Sequence, residues 1–228
     1  MRKSVLVSMI VVAGLASAVS AQWSDGFEAY PTGPLNAGGW DGWDGSPGAY
    51  GEVTNAFAYS GDQSILITGG ADAVRPFAPG EFSSGQWTMT AWMLLFRDDH
   101  TSDTFFIVNN VYNHGGPYQW TIELQFDTAT RNVLDDFRPE NPMPIVYDRW
   151  VEIRLDIDLD ADTVDTYYDG ALLSSGQYAI RGGPIEIGNI DLFTTGATSY
   201  YDDLSIVPAP GAMALLALGA FMRRRRRR

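Results

Sequence analysis

The chain has no cysteine, one lysine and two histidines. Without cysteine there is no disulfide, thiolate zinc site, iron–sulfur cluster or thiol nucleophile. His100 and His114 are too few for a histidine-rich metal centre, and no Gly-x-Ser-x-Gly turn exists to carry a serine nucleophile. No stretch of the central part keeps a helical period, which excludes a coiled coil. Positive charge is scarce away from the ends. Arg2, Lys3 and the six arginines 223–228 account for most of the 15 basic residues, leaving seven arginines between them against all 28 acids, a net charge of −21 for the central part. Such a surface repels phosphate and anionic lipid, so nucleic acid is excluded as a partner. Aspartate supplies 21 of the acids. It favours turns and calcium-binding loops over helices, so the acidity serves either solubility or calcium.

The two ends read as addresses. Residues 1–21, MRKSVLVSMIVVAGLASAVSA, have a basic start, an apolar run and small residues before a cleavage point. That is a secretory signal peptide for signal peptidase, cut after Ala21 or, second, after Ala18. At the other end Val207-Pro208-Ala209-Pro210 precedes a 12-residue apolar stretch, Gly211 to Met222, and then six arginines. The stretch is short against the ~20 residues of a spanning helix, but snorkelling arginines on the cytoplasmic side let it enter a bilayer. The three-part tail, residues 208–228, resembles the PEP-CTERM class of bacterial sorting signals, with Ala where the class name has Glu. The resemblance implies an exosortase-type transpeptidase as partner, contact with the inner membrane, and a protein secreted to the cell envelope and anchored there through its C-terminus before processing. A plain tail anchor is the alternative.

Residues 22–207 read as one all-β domain. In Tyr118–Asp127, Tyr118, Trp120, Ile122, Leu124 and Phe126 alternate with Gln119, Thr121, Glu123, Gln125 and Asp127. In Trp150–Asp158, Val151, Ile153, Leu155 and Ile157 alternate with polar residues. Further strands are predicted near 50–59, 64–68, 86–96, 103–113, 163–169, 171–179, 185–193 and 199–207, separated by Gly, Pro, Asn and Asp. Short strands in this number predict two packed antiparallel sheets, a jelly-roll sandwich. The strand led by Trp150, its Asp-rich turn and the strand ending Tyr167-Tyr168-Asp169-Gly170 resemble the hairpin of laminin-G-like and concanavalin-A-like domains. Asp25-Gly-Phe-Glu28, Ser60 to Ser64, Trp87 to Trp92 and Tyr200 to Ile206 agree with it in order. The whole layout resembles exported planctomycete-type proteins of unassigned activity.

Four groups of residues suggest chemistry. Asp25 and Glu28 near one end, and Asp202 and Asp203 near the other, meet if the first and last strands are neighbours. Carbohydrate-binding jelly rolls are similar, with a structural Ca²⁺ held by an acid near each end, and calcium takes six to eight oxygens at ~2.3–2.6 Å. Alternation places Asp202 on the face of Leu204 and Ile206, where a carboxylate needs a cation or backbone donors. The run Asp156, Asp158, Asp160, Asp162, Asp165 has Thr163 where a calcium loop starting at Asp158 requires Gly, and it reads as an acidic turn. Laminarinase-type hydrolases, which share the sandwich, place carboxylates at alternate positions as Asp156, Asp158 and Asp160 are placed. They use Glu at the outer positions, and here the run enters an exposed turn, so no catalytic residue is expected.

The last group is a glycan surface. Trp40 and Trp43 are expected as an exposed pair, and Trp92 and Tyr112 as flanks to Glu123, Gln125, Glu152 and Arg154, since sugars stack on aromatic faces and pair their hydroxyls with planar polar groups. The expectation is an exported, envelope-targeted module that does no chemistry and binds extracellular polysaccharide, stabilised by Ca²⁺. A purely structural envelope or matrix protein is the alternative, and a glycoside hydrolase the third reading.

Overall fold

The computed structural model describes residues 23–97 and 102–209. The expected signal peptide, Pro210, the apolar stretch and the arginine run lie outside the described residues, as does His100. Sixteen strands are formed: β1 (Trp23–Asp25), β2 (Gly33–Pro34), β3 (Asp41–Gly42), β4 (Glu52–Thr54), β5 (Ser64–Ile67), β6 (Asp72–Pro76), β7 (Gln86–Leu95), β8 (Thr104–Tyr112), β9 (Tyr118–Asp127), β10 (Asn132–Asp135), β11 (Arg138–Pro144), β12 (Trp150–Asp158), β13 (Thr163–Tyr168), β14 (Ala171–Gln177), β15 (Asn189–Thr194) and β16 (Ser199–Pro208). They build two antiparallel sheets. The first runs β14-β13-β12-β7-β16-β5-β4-β2, with β1 also on β16, and the second runs β11-β10-β9-β8-β15-β6-β3. The only helical pieces among the described residues are two short 3₁₀ turns, Trp43–Gly45 and Pro47–Ala49.

The alternating faces explain the sandwich. Val151, Ile153, Leu155 and Ile157 of β12 all point into the core, as their spacing predicts, and Met89, Ala91 and Met93 of β7 lie beside them. Across the interior, Phe106 and Val108 of β8, Ile122, Leu124 and Phe126 of β9 and Ile190 and Leu192 of β15 supply the facing layer. Burying each such side chain is worth about 1.5–3 kcal/mol, which is what holds two amphipathic sheets together. The predicted strands do not include β6, β10 or β11, and β11 contains three prolines. Proline cannot donate to a ladder, and β11 is accordingly the edge strand of its sheet.

The end of the domain lies later than expected. Val207 and Pro208 pair with Thr88 and Trp87, and the amide of Ala209 donates to the Gln86 carbonyl at 2.9 Å. Three residues of the expected sorting motif, Val207, Pro208 and Ala209, are therefore bonded to β7 of the first sheet.

At the rim of the sandwich a buried ion pair joins the two sheets. Arg138 of β11 meets Asp135 of β10 at 2.8 Å, with 5% and 0% of their side chains exposed. Ser174 of β14 donates to the same carboxylate oxygen at 2.8 Å, and Arg138 also donates to the Gln177 carbonyl. Removing one partner strands the other charge away from water. Arg138→Met is expected to lower stability in urea unfolding by about 3–5 kcal/mol, and replacing both ions with apolar residues to recover most of that loss.

Candidate active site

A fault in the alternation of β9 creates the site. Register shifts opposite it, between Val108 and Asn109 and between Asn109 and Val111, leave both Thr121 and Ile122 buried. Tyr118 and Trp120 are thereby turned to the outer face of the second sheet, together with Glu123 and away from Ile122. A bulge of this kind re-aims every side chain beyond it.

The turn Trp43–Gly45 caps this face. Asp44 sits at φ 55, a left-handed conformation that aspartate tolerates. Its amide donates to the Tyr112 hydroxyl at 2.9 Å, and its carboxylate accepts from the Gly115 amide at 2.8 Å and the Tyr118 hydroxyl at 2.5 Å. The Tyr118 hydroxyl, with the Gly115 amide, holds the Asp44 carboxyl below its ordinary range. The Trp43 ring is thus fixed against Tyr118 at 4.8 Å, Tyr112 at 4.9 Å and, nearly parallel, Trp120 at 5.9 Å between centroids. The result is one wall of a cleft of about 510 Å³, whose other sides include Ile107, Phe137, Arg181 and Phe193.

Three carboxyl groups line the same cleft: Asp72 of β6, Glu123 of β9 and Asp191 of β15. Glu123 and Asp191 both stand opposite Ile107, one on each side of β8. At ordinary strand spacing their Cα atoms are about 10 Å apart. Asp72 is diagonal to Asp191, which pairs with Val74 while Asp72 pairs with Phe193. Asp191 is 1% exposed, and no N–H or hydroxyl donor reaches Oδ1 of either aspartate. The two carboxyls are close enough to share a proton, and they compete for it. Burial, and then the charge of Asp72, drive the Asp191 carboxyl well above its usual range, so this deeper partner carries the proton. Burial and the nearby Asp136 carboxylate also raise Glu123. Phe137 carries the Arg181 guanidinium over its ring at 4.4 Å, and that arginine is the one cation lining the cleft among the described residues.

The expected glycan residues divide into three groups. Trp43, Tyr112 and Glu123 come together here, and Gln125 lies on the same sheet face, donating to Asp103 at 2.7 Å. Trp92, Glu152 and Arg154 belong to the first sheet on the opposite side of the sandwich. There Trp92 stacks on Tyr59 at 3.8 Å, and Arg154 lies over the Tyr167 ring at 4.0 Å. The expectation that Trp40 is exposed beside Trp43 is corrected. It is 2% exposed, packs on Phe27 and donates its indole N–H to Asp25 at 2.8 Å. Sequence reasoning missed Asp72, Asp191, Tyr118, Trp120 and Arg181. An aspartate among apolar residues in Asn189–Thr194 was the available signal for Asp191.

The chain ends do meet, since β1 pairs with β16. Each expected calcium ligand accepts hydrogen bonds from nearby groups. Asp25 accepts from the Phe27 amide, the Tyr30 hydroxyl and Trp40, and Glu28 from the Asp62 and Gln63 amides. Asp203 accepts from the Ser60 hydroxyl. Asp202 is not on the face of Leu204 and Ile206. A bulge at Asp203, where φ is 44, turns it to the outer face opposite Trp92, buried under a loop whose Tyr59 and Ser60 amides it accepts at 2.7 and 3.1 Å. Among the described residues no three acidic or histidine side chains gather as a metal site. Asp156, Asp158 and Asp160 are turn and strand-edge acceptors, bonded to Thr88, Gln86 and the Gly85 amide.

No family model matches the chain, and no curated protein matches it. Solved structures do. A mutant of Trypanosoma rangeli sialidase displaying trans-sialidase activity aligns over 69% of this chain and 27% of its own, with 15% identity and a TM-score of 0.52. Another sialidase aligns over 75% of this chain and 17% of its own, at 9% identity and a TM-score of 0.51. The cellulose-induced protein Cip1 aligns over 81% of this chain and 96% of its own, at 16% identity and a TM-score of 0.51. The chain thus spans about a quarter or less of the sialidases, and identities this low speak for the fold alone. They show an all-β, two-sheet antiparallel sandwich with carbohydrate-related neighbours. One expectation is corrected by them: the similar structures are mainly sialidases, which are glycoside hydrolases, so the expectation of a module that does no chemistry is not kept.

The shared proton sets a pH dependence of stability. A carboxyl whose folded pKa is raised stabilises the fold fully below its unfolded value, about 4, and that contribution is lost as pH rises through the folded value. The melting temperature is therefore expected to fall between pH 5 and pH 8. Asp191→Asn, which keeps a donor at every pH, should flatten that decline and melt a few degrees above the parent at pH 8. A variant that melts lower at pH 8 with an unchanged slope would speak against the shared proton.

Proposed function

We propose that the protein binds a saccharide chain in the cleft of the second sheet and hydrolyses its glycosidic bonds. The observation that carries this reading is the row of carboxyl groups under an aromatic wall, one of which holds a proton. Hydrolysis needs a proton donor to the leaving oxygen and a carboxylate that takes a proton from the attacking water. Glu123, raised by burial, is placed as the donor. Asp72, held by Asp191 on the far side of Ile107, is placed as the base. Glu123 on β9 and Asp72 on β6 are three strands apart, too far for the ~5–5.5 Å carboxyl spacing of retaining enzymes, so the reading is the inverting mode with water between the two carboxyls. Water adds its hydroxyl to the anomeric carbon, its proton goes to Asp72, and the Glu123 proton leaves with the alcohol. The stacked rings of Trp43 and Trp120 suit the CH face of a sugar, and the likeness to carbohydrate-related folds supports the substrate class.

In this reading the chain is exported by its signal peptide and handed to an exosortase-type enzyme through its tail, and its substrate is an extracellular polysaccharide. The junction of the chain ends is held by its hydrogen bonds.

Reducing-end release from a polysaccharide panel tests the activity. Glu123→Gln is expected to lower turnover ~10²–10⁴-fold with binding retained, and Trp43→Ala to weaken binding several-fold. Saccharide binding without turnover on any substrate of the panel would overturn the catalytic assignment.

A further inference from the structure

The proton shared by Asp72 and Asp191 raises a difficulty for the hydrolytic reading. A carboxylate that already accepts a hydrogen bond from its neighbour's proton is a poor base. Something must displace that proton before Asp72 can take one from water. The surroundings of the pair show what that is. Oδ1 of Asp191 is buried, has no donor, and belongs to a residue that lines the cleft and is 1% exposed. Oδ1 of Asp72 is likewise buried without a donor. The other groups facing the pair are acidic or neutral: Glu123 from β9, Asp44 from the capping turn, and the Tyr112 hydroxyl, whose ionisation burial pushes up to about 12. Arg181 across the cleft is occupied by Phe137 and donates to neither aspartate among the bonds of the described residues. The site has acceptors without donors, inside a domain whose central part carries a charge of −21.

We propose that the cleft is specific for a saccharide carrying a free ammonium group, a 2-amino-2-deoxy sugar unit, whose nitrogen binds between Asp72 and Asp191. This inference rests on the saccharide-cleaving reading above and names its substrate class. An ammonium brings three N–H donors and no acceptor, which answers two bare carboxylate oxygens. Its charge replaces that of the shared proton, which leaves to solvent as the sugar enters. Asp191 then holds the nitrogen, and Asp72 is ionised and free to act as base. An N-acetylated or hydroxyl-bearing unit cannot do this, because it brings no charge to compensate the second carboxylate. The sugar ring beside the ammonium lies against Trp43 and Trp120, where a cation near the ring faces gains further.

Isothermal titration at pH 6, below the pKa of the amine, tests the inference with a fully deacetylated glucosamine tetramer, its N-acetylated counterpart and a glucose tetramer. The deacetylated tetramer is expected to bind about tenfold tighter than either, to release protons to the buffer, and to weaken as salt is raised. The release is read from the dependence of the enthalpy on the buffer's ionisation heat. Asp191→Asn, checked for its melting temperature, should abolish both the preference and the proton release. Equal binding of all three tetramers, with loss in Trp43→Ala, would overturn the ammonium site and leave the saccharide cleft standing. Absence of binding by every tetramer would overturn both. Proton release on titration with Ca²⁺ alone, lost in Asp191→Asn, would assign the pair to a metal ion and overturn the proposal.

Discussion

The position of the last strand constrains everything else. β16 lies inside the first sheet, bonded to β7 on one side and to β5 and β1 on the other. The sheet is therefore incomplete until the C-terminal part of the domain is in place, and the first strand has nothing to pair with before then. Non-local pairing of this kind costs loop-closure entropy that only the finished core repays. The bulge at Asp203 follows from it. Two residues occupy the space of one so that Tyr201 and Leu204 both reach the core, and Asp202 is thrown outward under the loop at Tyr59.

An acidic domain with few cations must find partners for its carboxylates. Many are met by backbone N–H groups. Asp127 accepts from Ala129 and Thr130, Asp158 from Asp160 and Ala161, and Glu28 from Asp62 and Gln63. Asp25 does the same for the interior, taking the buried indole N–H of Trp40. Asp135 has Arg138. Asp72 and Asp191 have only each other and a proton. Buried polar groups without partners are costly, and a fold that satisfies its other acids in this way keeps one unsatisfied pair in its aromatic cleft. That contrast is the physical ground for placing function there rather than at the chain ends or the Asp-rich turn.

The legibility of the sequence varied with local regularity. β12 could be read residue by residue because nothing interrupts its period of two, and the hairpin from β12 to β13 followed from the Asp-rich turn. β9 was misread before Ile122 because Thr121 is an extra residue there, Val108 and Asn109 of β8 pairing with Ile122 and Trp120, and no residue type marks it. The two tryptophans of the Gly39–Gly45 segment look alike in sequence. One is a core residue anchored by Asp25 and the other a cleft wall fixed by Asp44, since each partner comes from a different place in the chain. Three of the eight expected glycan residues sat on the other sheet for a similar reason: β9 and β12 both present polar faces to solvent, but on opposite sides of the sandwich.

Composition and periodicity by themselves determined the all-β class, the two-sheet sandwich, the absence of thiol and thiolate-metal chemistry, and the negative field of the domain. These depend on residues summed along the chain or alternating within one strand. Which carboxylates meet, which aromatic rings form one wall and which acid is left without a donor were decided only by the tertiary structure. Asp72 and Asp191 lie on β6 and β15, Glu123 on β9 and Trp43 in a turn, and it is strand order and bulges, both long-range properties, that bring them to one face.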